Sequence, residues 1–137
     1  MKYLVMIQGS KAGYDALSGQ ANEEGPAWSE KDLEAMYAFM GDLNNDLAES
    51  GELVDAQGLT SPAHQRAVSR GADGRVVVTD GPFSETKELL AGYWVLDCES
   101  LERVTEIAER ITECPQPEGA PQHPVIIRPI GSGGGDV

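Results

Sequence analysis

The sequence predicts an α+β fold: a ferredoxin-like split β-α-β sheet with an inserted β-hairpin and helices on one face. Three observations carry that expectation. Two apolar stripes at helical spacing, within residues 29–51 and 100–115, are each flanked by short β-branched runs, giving two β-α-β halves. Between the halves, Gly71-Ala72-Asp73-Gly74 joins two further strand-like segments and reads as a hairpin tip. Helices confined to one face leave the other face of the sheet bare, so two copies are expected to pair sheet to sheet as a dimeric α/β barrel, a homodimer.

The elements follow in order. Residues 2–7, with Val5 and Ile7, form a first strand. Residues 9–27 are rich in Gly, Ser, Ala and Asn with little periodicity, and predict a long loop. Ser29 is placed to cap a helix that carries Glu30 and Asp32 in its first turn, where negative charge suits the macrodipole. Trp28 and Leu33 have the spacing of a hydrophobic staple. Leu33, Met36, Tyr37, Met40, Leu43 and Leu47 then make one apolar stripe, and Gly51 ends the helix. Residues 53–59 give a second strand.

The hairpin strands are expected at 67–70 and 75–79. The run Val76-Val77-Val78 suits a strand buried on both faces or lying beneath a helix. Residues 91–98 form another strand, and its alternation sends one of Tyr93 and Trp94 away from the helices. Ser100 opens the second helix, whose apolar face is Leu101, Val104, Ile107, Ala108 and Ile111. Residues 125–130 are the last strand, which Pro129 restricts to an edge or an end. The domain is expected to span 1–130, with 131–137 a flexible tail.

At 137 residues the chain suits one domain with its own core. Its acids outnumber its bases 23 to 10, for a net charge of −13. Such a surface repels phosphate backbones and anionic lipid, so no direct nucleic-acid or membrane binding is expected. The imbalance is local: residues 15–55 carry −10 and 97–118 carry −5, whereas 56–96 balance. No apolar run is long enough to span a bilayer and none resembles a signal peptide. Cys98 and Cys114 form no C-x-x-C pair, and with His64 and His123 they give no metal-ligand spacing. A cytoplasmic protein with free thiols and without metal or cofactor is the expectation, since phosphate-loop, dinucleotide and nucleophile-elbow motifs are all missing.

The neutral middle holds the most distinctive segment, Asp80-Gly81-Pro82-Phe83-Ser84-Glu85-Thr86-Lys87-Glu88. Gly81-Pro82 turns the chain sharply, and Phe83 is placed to plug the core. Asp80, following a strand taken to be buried, either projects its carboxylate into a cleft or caps the turn. His64 lies toward the other end of the hairpin, and a histidine beside a carboxylate suits proton transfer at neutral pH. Its plainer reading, following Ser61-Pro62-Ala63, is a polar residue at a strand start. Arg66, Lys87 and Arg128 are the cations available to an anionic ligand, or ordinary surface charge. Tyr93 offers either a hydroxyl to a cleft or a ring to the core.

That segment, with Gly92-Tyr93-Trp94-Val95-Leu96-Asp97, the opening 2–7, Gly51-Glu52-Leu53, Gly58-Leu59 and Arg128-Pro129-Ile130, resembles the DGPF-domain proteins of the YCII-related family. The resemblance implies a ferredoxin-like dimer with a site in a cleft. This chain has no histidine before His64, so the early histidine of better-known relatives has no counterpart. Ile126 stands where close relatives tend to carry an acid. Taken with the reading of the residues themselves, the expected site is Asp80 and His64 as catalytic pair, with Arg66, Phe83, Glu85, Lys87, Tyr93 and Arg128 as ligand contacts. Two functions compete. One is binding of a small organic acid near Asp80, with cofactor-independent isomerase- or lyase-type chemistry. The other is a non-enzymatic module that accompanies an extracytoplasmic-function sigma factor.

Overall fold

The computed structural model describes residues 1–23, 25–81 and 89–131. Four strands, β1 (Lys2–Gly9), β2 (Leu53–Gly58), β5 (Leu89–Asp97) and β6 (Val125–Pro129), form one antiparallel sheet in the order β2-β5-β1-β6. Helices α2 (Glu30–Glu49) and α3 (Leu101–Thr112) connect β1 to β2 and β5 to β6. This order is compatible with a ferredoxin-like fold. Strands β3 (Arg66–Arg70) and β4 (Val76–Asp80) form a separate two-stranded sheet between β2 and β5.

The core lies between the main sheet and the two long helices. Tyr3, Val5, Trp94, Leu96 and Cys98 meet Leu43 and Leu47 of α2 and Val104, Ile107 and Ile111 of α3. Trp94 is thus the residue that faces the helices, and its indole N–H donates to Asn44 Oδ1 at 2.8 Å, which satisfies the polar edge of a buried ring. Strand alternation puts Leu4, Met6, Tyr93, Val95, Ile126 and Arg128 on the opposite face. Pro129 lies on β6, an edge strand, as its missing N–H requires.

Local chemistry explains the helix ends. Ser29 accepts from Asp32 N–H at 3.1 Å while Asp32 accepts from Ser29 N–H at 2.8 Å, a reciprocal capping box. Gly51, at φ +81°, turns the chain out of α2. Beyond it Glu52 takes two hydrogen bonds from Arg103 of α3, at 2.8 and 2.9 Å, tying the start of β2 to α3. That fork holds the Glu52 carboxyl down at about 2.

Four expectations need correction. Residues 9–27 are not all loop, because α1 (Lys11–Leu17) lies inside them, capped by Ser10, whose hydroxyl accepts from Gly13 N–H at 3.0 Å. Only Ala16 of that helix is fully buried, so its pattern was too short to show a stripe. Val76, Val77 and Val78 are exposed rather than buried, since their hairpin stands off the main sheet; Asp80 therefore does not follow a buried strand. Leu101 is exposed at the start of α3, beyond the reach of the core. The apolar stripe of α2 also divides: Leu43 and Leu47 are buried, while Met36 and Met40 are half-buried and Tyr37 is exposed. The expected tail, except Gly131, falls outside the described residues.

Candidate functional site

The divided stripe of α2 leads to a cavity. Its volume is about 500 Å³, within the range of small-molecule sites. Met36, Tyr37 and Met40 form one wall, and Trp28, just before the helix, continues it. Across from them lie the end of β1, helix α1 and the connection after α3 that carries Cys114, Gln116 and His123.

Hydrogen bonds hold these walls in place. The Tyr14 hydroxyl lies 2.8 Å from Leu59 O and 3.2 Å from Ala91 O, pinning α1 to the ends of β2 and β5. Burial pushes the Tyr14 phenol up, so it remains a donor at neutral pH. Asn22 donates to Ala12 O at 2.8 Å, folding the following loop back on α1. Gly25 then lies against Pro121, so close that a Cβ there would come within 3.3 Å of the ring. That contact joins the loop after α1 to the connection before β6.

None of the described residues lining the cavity is Asp, Glu, Lys or Arg, although these make up 24% of the chain. His123 is the one imidazole among them. Burial raises the Cys114 thiol, which disfavours the thiolate a nucleophile would need. No group of three or more His, Cys, Asp or Glu among the described residues is placed to hold a metal.

The residues expected to form a site are distributed elsewhere. Asp80 accepts from Arg66 Nε at 2.6 Å and Nη2 at 3.2 Å, across the open end of the hairpin where the two are register partners. Both side chains are about two-thirds exposed. His64 sits in a single 3₁₀ turn, Pro62–His64, and lines a recess of about 220 Å³ with Leu59, Gln65 and Leu90. Leu59 also lines the main cavity, so the recess borders it. Tyr93 and Arg128 lie on the face of the sheet away from the helices, on β5 and β6 with β1 between them. Phe83, Glu85 and Lys87 lie outside the described residues. Arg66 and Asp80 are brought together; His64, Tyr93 and Arg128 are not brought to them.

The cavity residues Tyr14, Trp28, Met36, Met40 and His123 were not singled out by their chemistry. One signal was present: residues 16–22 and 119–127 are charge-free runs in a highly charged chain, and both contribute to this wall.

The model of the YCII-related domain matches residues 1–120. A Rhizobium meliloti (strain 1021) protein, described as uncharacterized protein R00369, is 30% identical over 104 residues, covering 76% of this chain and 80% of its own length. The region matched by the family takes in β1 through α3 and most of the cavity wall, and on that match the chain belongs to the YCII-related domain family.

Proposed function

We propose that the protein binds a small, uncharged, largely apolar or aromatic organic molecule in the cavity beside α1 and α2. One observation carries this reading: the described residues of the wall include no formal charge, in a chain of −13. A charged ligand entering it would lose hydration and meet no counter-charge, whereas a neutral ring would gain contact with Trp28, Met36 and Met40. Amide and hydroxyl groups of the wall supply orientation. Proton transfer on such a ligand, of the isomerase or lyase type, would run through His123, the one imidazole of the described wall. The DGPF subtype is part of the reading and rests on the segment beginning Asp80-Gly81 together with Gly92-Tyr93-Trp94. So is a homodimer through the open sheet face, supported by the apolar side chains of Leu4, Met6, Val95 and Ile126 there.

A matched pair of probes tests the ligand class. Phenol and benzamide should bind in calorimetric or NMR titration at least tenfold more tightly than benzoate. Ala12→Phe, which fills the cavity, should abolish their binding. Benzoate binding that is tighter, unaffected by Ala12→Phe and lost in Arg66→Ala would overturn the reading and return the ligand to the hairpin end.

A further inference from the structure

The β3–β4 hairpin presents both faces to water: Val68, Val76, Val77 and Val78 are 64%, 53%, 46% and 52% exposed. A lone two-stranded hairpin is marginal by itself. An exposed β-branched edge with no Pro, Lys or bulge is a template for another strand. The ladder defines which backbone groups of β4 are turned outward. Gly71 N–H donates to Arg75 O at 2.8 Å and Gly81 N–H to Gln65 O at 2.9 Å, at the two ends of a register running from Arg66↔Asp80 to Arg70↔Val76. Hydrogen-bonded pairs alternate in an antiparallel ladder, so Val77 and Thr79 direct their N–H and C=O groups toward β3. Val76, Val78 and Asp80 direct theirs outward, where no strand lies among the described residues.

We propose that this edge pairs with the same edge of a second copy, antiparallel, about a two-fold axis at Val78. Outward-facing residues mate only with outward-facing residues, which sets Val78 opposite its own copy and Val76 opposite the second copy's Asp80. Charge selects the same partner and direction. β4 is preceded by a cation, Arg75, and ends on an anion, Asp80, with uncharged Val76-Val77-Val78-Thr79 between them. Arg75 is 88% exposed and reaches Asp73 only at 3.7 Å. Antiparallel self-pairing brings unlike ends together, whereas a parallel copy would bring like ends together. The contact is isologous, so taken by itself it closes at two copies. One face of the resulting four-stranded sheet gathers Val68, Val76 and Val78 from both chains, giving the hairpin the apolar neighbours it lacks alone.

The test uses the full chain. Val78→Pro removes one outward N–H while its φ suits a strand, and it leaves every bond to β3 in place. It should halve the sedimenting mass at micromolar concentration. Val78→Cys, which keeps a strand-compatible side chain, gives a readout independent of the effect of proline on folding. Opposed Cα atoms at ~5.5 Å are within disulfide range, so it should oxidise to a covalent dimer well before Asp73→Cys at the hairpin tip. Met6→Glu, on the open face of the main sheet, should leave that cross-linking unchanged, which separates this contact from the sheet-face dimer. Wild-type mass in Val78→Pro, or equal cross-linking of the two cysteine variants, overturns the proposal. A wild type that sediments as a monomer also overturns it, and leaves a foreign strand as the occupant of the edge.

Discussion

The two ends of α2 share one apolar stripe and use it differently. Leu43 and Leu47, in its second half, are 0% and 2% exposed and fill the core between sheet and helices. Met36 and Tyr37, in its first half, line a cavity instead, and Met40 at the middle touches both. The reason is the sheet beneath. Around Trp94 and Leu96 the strands present large side chains to α2, whereas near the end of β1 they present Gly9 and Gly58, and α1 stands at the rim. Periodicity reports which face of a helix turns inward. It does not report whether anything fills the space it turns toward.

The largest effect should expose that difference. Leu43→Ala removes a fully buried side chain and should destabilise the fold by about 2–5 kcal/mol in denaturant unfolding. Met36→Ala, two turns away on the same stripe, should cost under about 1 kcal/mol, because its side chain already borders open space. It should instead change the affinity for phenol. Equal losses of stability at the two positions would show that the cavity is packed in solution.

Much of the fold was legible for a physical reason: the features that announce it are local. Ser29, Asp32 and Gly51 bracket α2 by hydrogen bonds made within a few residues, and Asp73-Gly74 closes the hairpin in the same way. The cavity is a different kind of object. Its wall is drawn from α1, α2, the end of α3, four strands and the connection before β6, and among its described residues only His123 carries a conspicuous group. Attention went to Asp80, Arg66 and His64 because charge and imidazole are conspicuous. The hairpin that carries them is set apart from the core, which no run of three valines discloses.

An intermediate effect lies at the junction of β2 and α3. The folded-state carboxyl of Glu52 sits at about 2, below its ordinary 4.5, chiefly because Arg103 donates to it. A depressed carboxyl contributes stability that is complete above the ordinary value and is lost as pH falls through the folded one. Wild-type stability should therefore decline between about pH 4.5 and 2 in part through this group. Half-exposed Arg103 screens the pair, so the contribution is about 1–2 kcal/mol. Glu52→Gln should lower stability at pH 7 by that amount and flatten the acid limb by the same amount, as read from urea midpoints across pH. A variant whose acid limb stays parallel to wild type would mean that Arg103 does not hold Glu52 in solution.

The smallest effect is expected at the hairpin, and it sharpens the contrast with the cavity. Asp80 meets Arg66 through two hydrogen bonds, but both side chains remain about two-thirds exposed. Exposed pairs of this kind contribute about 0–1 kcal/mol, so Asp80→Asn should lower the melting temperature by no more than a few degrees. High salt should reduce the difference further, since water and ions already screen the pair. The cavity lies on the other side of Leu59, lined by none of the hairpin residues, so phenol and benzamide titrations should be unchanged in the same protein. Loss of phenol binding in Asp80→Asn with the melting temperature held would break the comparison. It would make the carboxylate, not the uncharged wall, the group that recognises the ligand.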